Sequence, residues 1–244
     1  KNYSFIKSDI GNIGTIKNKV KNFIPDIIFH WACETHVDRS IDSPRVFLKK
    51  NLVNSINFMD MIINLRKKDN SFNPKVIHIS TDEIYGSINK KIANEEFNHK
   101  PNSPYSASKS SMELILRSYH KSFGLNLMII RMCNQYGPYQ FIEKVIPNFI
   151  NKLLAKKKIP IYGNGKNIRE WMYIEETCYV LKNMINNFYD GQIFNLGSGF
   201  RISNNYLAYN ILKILKLSKK KIEYIQDRPA HDLRYAISSK KIYK

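Results

Sequence analysis

The sequence predicts an α/β protein: a doubly wound parallel sheet followed by a smaller C-terminal unit. Three observations carry this. Short apolar runs rich in Ile, Val and Phe alternate with helix-length segments from Asp26 to Arg131, the spacing of strands joined by crossover helices. The helical segments open on Ser-Pro pairs, which supply an N-cap and a first helical residue. The strand at Ile77 runs straight into Ser80-Thr81-Asp82-Glu83, and in open α/β sheets ligands bind at the carboxyl ends of strands.

Taken in order, 26–32 reads as a strand. Ser43-Pro44 opens a helix through about Arg66, and 75–80 is the next strand. Ser103-Pro104 opens a second helix to about Phe123, with Gly124 at its C′ position, and 125–131 is again a strand. Beyond Gly137-Pro138 the texture changes. Helices are expected over 142–156, 175–188 and 204–215. Short β segments are expected at 159–162, 171–173, 193–196 and 222–225, and 227–232 is a polar loop. The domain boundary is placed there, giving 1–136 and 137–244. No G-x-G-x-x-G follows an opening strand; Gly11 and Gly14 do not supply one. Either a nucleotide is not held by a glycine turn, or the chain begins after it.

The chain has 244 residues, 43% of them hydrophobic and 12% aromatic, enough for a sizeable core. No apolar run approaches the roughly 18 residues of a membrane span, and no apolar h-region follows Lys1-Asn2-Tyr3. Cys33, Cys133 and Cys178 are three in number and far apart. They fit neither a disulfide framework nor a zinc site, which argues for a reducing, cytoplasmic setting and no metal. The net charge of +19 points to an anionic partner or to drift. Of the 39 basic residues 30 are Lys, and runs such as Lys156-Lys157-Lys158 lack interleaved aromatics. We read the excess as solvated surface charge, with no nucleic-acid motif.

Two segments carry chemistry. Tyr105 and Lys109 stand four apart on a helix, so they share a face. An ammonium beside a phenol favours the phenolate, which can take a proton from an alcohol. The spacing alone is weak: four such pairs occur, where chance gives about two. Only Tyr105/Lys109 opens a helix after a strand ending in Ser-Thr-Asp-Glu. Thr81-Asp82-Glu83 by itself also reads as a turn or capping cluster. Together the two segments can donate a hydrogen bond, give a proton and take one.

These stretches resemble the extended short-chain dehydrogenase/reductases and, within them, the dTDP-glucose 4,6-dehydratases. The likeness runs in order through 30–40, 80–86, 105–109, 131–141, Tyr162-Gly163-Asn164-Gly165 to Arg169-Glu170-Trp171, and 227–232. Sugar epimerases of the superfamily usually lack the acid pair. The resemblance implies a Rossmann-like fold, with an NAD-binding first domain and a nucleotide-sugar-binding second one whose segments return to the sheet. It also implies a cytoplasmic homodimer, with neither membrane nor nucleic-acid partners, that converts dTDP-glucose to its 4-keto-6-deoxy form. Tyr105 and Lys109 would assist oxidation at C4 by NAD, and Thr81 would bond the C4 oxygen. Glu83 would remove the C5 proton and Asp82 would protonate the departing C6 hydroxyl. Asp9, Ile10 and Ala32 would join Tyr105 and Lys109 around NAD. Asn134, Lys144, Pro160, Tyr162, Arg169, Asn204, Arg228 and His231 would hold the nucleotide, with Thr81 at the sugar.

Cys33, Thr35 and Ala230 depart from the family's usual Ala, Ser and Gly; the last is expected to strain its loop. The family's first strand, glycine turn and second βα unit, about 55 residues, are missing from the likeness, as is its final segment. Such a sheet would be incomplete at the amino end, with a gap between a strand at 4–6 and the one at Ile27. Alternatives are a UDP-glucose 4,6-dehydratase, a C4 epimerase, a non-catalytic remnant and a basic adaptor; Asp82 and Glu83 disfavour the epimerase.

Overall fold

A computed structural model describes residues 3–244. In chain order the elements are α1 (Ile13–Phe23), β1 (Ile27–His30), α2 (Val37–Asp42), α3 (Pro44–Leu48), a π-helical turn (Lys49–Val53) and α4 (Asn54–Lys68). There follow β2 (Lys75–Thr81), a 3₁₀ turn (Asp82–Tyr85), α5 (Pro104–Phe123), β3 (Leu127–Met132), β4 (Asn134–Tyr136) and α6 (Val145–Leu154). The last are β5 (Ile159–Tyr162), β6 (Ile168–Tyr173), α7 (Ile174–Asn186), β7 (Ile193–Leu196), β8 (Arg201–Ser203), α8 (Asn204–Ile214) and β9 (Ile222–Ile225). They form two compact units. One comprises residues up to Ser80, Ser103–Ile130 and Asn187–Ile193; the other comprises Thr81–Asn102, Arg131–Asn186 and Phe194–Lys244.

In the first unit β1, β2, β3 and the first residue of β7 follow the sheet order β1-β2-β3-β7, and Ile27 to His30 pair in parallel with Lys75 to His78. β2 and β3 are buried along almost their whole length, as strands covered on both faces are, whereas β1 is half-buried up to His30. Val76, Ile77 and Ile129 are fully buried, and Met59, Ile62, Met112 and Leu116 from α4 and α5 pack in the same core. Each such side chain contributes roughly 1.5–3 kcal/mol of burial.

α5 begins where its sequence directs. The Ser103 side chain accepts from the Ser106 N–H while Ser106 accepts from the Ser103 N–H, Pro104 sits in the first turn, and Gly124 closes the end at φ +62°. The expected single helix from Pro44 is interrupted instead by the π turn, in which Asn54 N–H bonds Lys49 C=O. Pro44 occupies the first turn, but the Ser43 side chain makes no capping bond; its N–H bonds Arg39 C=O at the end of α2. The extra residue of the π turn has a use. Asn51 is buried and accepts from Glu34 N–H (2.7 Å), while its amide donates to Glu34 C=O (2.9 Å) and Ser108 Oγ (3.1 Å).

Residues 4–6 form no strand. α1, which the sequence pattern does not predict, forms because Ile13, Ile16 and Val20 share one face and pack on the core. Its amphipathic signal is short, and Gly14 sits in its first turn.

In the second unit β4 pairs in parallel with β6, which pairs antiparallel with β8; β5 and β9 form a separate parallel pair. Phe149, Leu153, Ile159, Ile161, Leu207 and Ile211 build a core from α6, β5 and α8. β6 starts three residues before the expected strand at Trp171, and β4 and β8 are three-residue strands too short to leave a periodic signal.

Candidate active site

The capping box and Pro104 fix the start of α5, which places Tyr105 and Lys109 one turn apart on it. Both are buried, at 7% and 4% exposure. The Tyr105 N–H donates to Ser40 Oγ (3.2 Å), and the Lys109 ammonium donates to the Ile79 carbonyl. His30 of β1 and His78 of β2 are buried as well, with their Nδ1 atoms 2.8 Å apart. Burial, and then the Lys109 charge, push the His30 imidazole down to about 3. Burial likewise holds His78 well below the usual range, with Lys109 and His30 adding to it. The pair is therefore neutral: one ring donates from Nδ1 and the other accepts.

The same unit contains the other residues expected at NAD. Asp9 is exposed, and its Oδ1 is held by Gly11 N–H and Asn54 Nδ2, both at 2.8 Å. Ile10 is half-buried against the core, and Ala32 is exposed in the loop that Asn51 ties down through Glu34. The chemistry of these side chains suits a dinucleotide: the exposed carboxylate accepts from hydroxyls beside an apolar neighbour, and the buried ammonium donates.

The second unit begins at Thr81. The Thr81 hydroxyl accepts from Glu83 N–H (3.3 Å) and lies 3.3 Å from Asp82 Oδ1, so the end of the strand turns directly into the 3₁₀ turn bearing both acids. Gly86 ends that turn at φ +66°, and a Cβ there would lie 2.1 Å from the Lys100 carbonyl oxygen; only glycine fits. Behind the turn the buried Arg131 donates to Tyr85 Oη (2.7 Å), Glu95 C=O (2.9 Å) and His99 Nε2 (2.8 Å).

Asp82 is 1% exposed, and its Oδ2 has no hydrogen-bond partner among the described residues. Burial, the Glu83 charge and the Glu170 charge hold its carboxyl well above the usual range, against Arg169 and the Thr81 bond. Glu170 is itself fixed, accepting from Arg201 Nε (2.6 Å) and Gly199 N–H (2.8 Å). Glu83 is half-buried. Burial raises its carboxyl too, but Arg169 and Arg228 pull it down. Two adjacent acids thus sit in different surroundings, the condition for giving and taking a proton at one site.

The structure brings several of the expected nucleotide residues together. Arg169 of β6 donates to the Asp232 C=O (2.9 Å) and lies 4.2 Å over the Tyr235 ring. The Tyr162 ring of β5 meets His231 edge-on, and His231 Nδ1 lies 2.6 Å from Asp227 Oδ1. Burial lowers the His231 imidazole, while the Asp227 bond raises it. The Asp227 carboxylate also takes Arg228 N–H (2.9 Å). Ala230 in this loop has φ +52°, the strain expected of a non-glycine residue there. Pro160 lies on β5, Asn134 opens β4, Lys144 precedes α6, and Asn204 opens α8 with its N–H on Asn167 C=O (3.0 Å). The sequence reading missed Asn102 and Tyr235, both bonded to Asp232. Their signal was proximity to motifs: one precedes Ser103 and the other follows Asp232 by three.

A parallel α/β unit that carries a Tyr-Lys helix and a second unit that opens on Thr-Asp-Glu are the parts of an extended short-chain dehydrogenase/reductase. More particularly, the chain belongs to the GDP-mannose 4,6 dehydratase family, whose model matches residues 1–244. It is 34% identical over 242 residues to the dTDP-glucose 4,6-dehydratase of Streptomyces niveus, covering 99% of this chain and 70% of that protein. It is also similar to DesIV, a dTDP-glucose 4,6-dehydratase from Streptomyces venezuelae solved with NAD and TYD (dTDP) bound. There the TM-score is 0.92 and the identity 36%, covering 98% of this chain and 72% of that one. The UDP-glucose 4-epimerase of Thermus thermophilus, at 22% identity and TM-score 0.90, shares the fold. It covers 100% of this chain and 78% of that one.

Proposed function

We propose that the chain is a nucleotide-sugar 4,6-dehydratase that acts on dTDP-glucose with NAD. The observation that carries this is the acid pair: a buried Asp82 with one carboxyl oxygen unbonded, beside a Glu83 whose charge two arginines favour. An epimerase, which only removes and returns hydride at C4, needs neither acid.

Asp9, Ile10, Ala32, Tyr105 and Lys109 would hold NAD. When bound, it supplies the hydride acceptor for C4 and the hydride donor for C6. Tyr105 takes the proton of the C4 hydroxyl, and the Lys109 charge favours the phenolate. Thr81 bonds the C4 oxygen. The C4 ketone acidifies C5, and Glu83 takes that proton. Asp82, kept protonated by burial, gives its Oδ2 proton to the leaving C6 hydroxyl. Arg169 and Arg228 are cations for the diphosphate, where the planar fork of guanidinium suits phosphate oxygens. Asn134, Lys144, Pro160, Tyr162, Asn204 and His231 complete the nucleotide site. The protein in this reading is a cytoplasmic homodimer; sedimentation tests the dimer.

The deciding experiment uses Glu83→Gln with dTDP-glucose. C4 oxidation continues, C5 deprotonation stops, and reduced nicotinamide accumulates on the protein without a 4-keto-6-deoxy product. A galactose-configured product from the unsubstituted protein, or normal turnover in Glu83→Gln, overturns the reading.

A further inference from the structure

The reaction assigned above leaves one buried group beside the base without a role. Tyr235 is 3% exposed. Its hydroxyl lies 2.8 Å from Asp232 Oδ2 and 3.3 Å from Glu83 Oε2. Asp232 cannot swing away, because its Oδ1 accepts from Asn102 Nδ2 (2.6 Å) and its backbone carbonyl from Asn167 Nδ2 (3.1 Å) and Arg169 Nη2 (2.9 Å). The ring is held too, with the Arg169 guanidinium 4.2 Å over its face. A fixed hydroxyl thus stands between two carboxyl groups.

A phenol has one proton to donate and lone pairs to accept with. It can serve only one carboxylate as donor at a time. When Glu83 is charged, the hydroxyl can turn its proton to Oε2. When Glu83 has taken a proton, Glu83 donates to the phenol oxygen and the hydroxyl turns to Asp232. No covalent bond to hydrogen breaks at Tyr235 in this exchange; the O–H rotates about its C–O bond. Both states of Glu83 are then hydrogen-bonded, and the carboxyl keeps one orientation through the catalytic cycle.

We infer that Tyr235 is a positioning residue for Glu83, a two-way hydroxyl backed by Asp232 that holds the base in place in both of its protonation states. The inference rests on Glu83 acting as the base. It adds a residue that acts through Glu83.

Two substitutions move Glu83 in opposite directions. Tyr235→Phe keeps the ring and its Arg169 contact but removes the donor, leaving the Glu83 anion facing the Asp232 charge, so its proton affinity rises. Asp232→Asn removes that charge. The new amide, with its oxygen retained by Asn102, points an N–H at the phenol oxygen and drives the phenol proton toward Glu83, so the proton affinity falls.

The test is a carboxyl ¹³C NMR titration of Glu83 in the full chain, read beside the pH dependence of kcat on dTDP-glucose. In Tyr235→Phe the Glu83 midpoint and the acid limb of kcat move up by about half a pH unit or more, and in Asp232→Asn they move down. In Tyr235→Phe kcat falls about tenfold or more while KM stays within about twofold, since the base is misplaced and the nucleotide site is untouched. Midpoints that stay at the wild-type value, or that move the same way in both variants, overturn the proposal. If Asp232→Asn does not fold, Tyr235→Phe decides alone: an unchanged or lowered midpoint overturns it. Glu83→Gln run in the same assay separates the two claims. Normal turnover there removes the base reading, whereas the NMR titration still reports the Tyr235 contact.

Discussion

Lowering the pH is expected to destabilise the first unit through the buried His30–His78 pair. The His30 imidazole lies near 3 in the folded chain against an ordinary value of 6.5. The unfolded chain therefore binds more protons, and stability is lost as the pH falls through the unfolded value. It is fully present above about pH 6.5 and continues to drop until about pH 3, where the folded imidazole also titrates. For His30 alone the loss is about 2 kcal/mol at pH 5 and approaches about 5 kcal/mol at the limit, at 1.36 kcal/mol per unit. His30 is 3% exposed, so solvent screening does not reduce this. His78 titrates with the same sign, and its loss adds to that of His30. The assay is urea unfolding at pH 7, 6 and 5 for the wild type and for His30→Gln, in which one titrating ring is gone and the amide can still bond His78. The variant is expected to lose about 2 kcal/mol less than the wild type between pH 7 and 5. Identical pH slopes, or imidazole NMR signals of His30 that titrate near 6.5 in the folded protein, refute the reasoning.

Other expectations follow from particular contacts. Asp82→Asn leaves the acid turn intact but cannot give a proton, so turnover falls about 10²–10⁴-fold with substrate affinity nearly unchanged, as read by steady-state kinetics. Asn51→Ala removes three hydrogen bonds and strands the Glu34 N–H and C=O, costing roughly 1–3 kcal/mol; native-state hydrogen exchange at the Glu34 amide should speed up accordingly. Ala230→Gly relieves a φ of +52° and should stabilise the second unit by about 0.5–1 kcal/mol, the left-handed cost less the extra entropy of glycine, read as a rise in Tm.

The sequence by itself determined the alternation of strands and helices, the start and stop of α5, and the family. These rest on local rules: Ser103 and Pro104 cap a helix wherever it packs, Gly124 ends it, and an apolar run buried on both faces reads as a strand. It also determined the acid pair, because Thr81, Asp82 and Glu83 are adjacent in the chain. The strain at Ala230 was legible too, since a side chain stands where a left-handed backbone is needed. What only the tertiary structure decided depends on residues far apart in sequence. The π turn exists so that Asn51 reaches Glu34 and Ser108, and no local pattern marks it. β4 and β8 are strands only because β6 lies between them. Asp82 and Glu83 look alike in sequence. Their difference comes from the deeper burial of Asp82, from Glu170 near it and from Arg228 near Glu83, while Arg169 pulls on both; neighbours nearly ninety residues or more away leave no local pattern. Tyr235 is the plainest case: it is one of 15 tyrosines, and only the fold carries its hydroxyl to both Glu83 and Asp232.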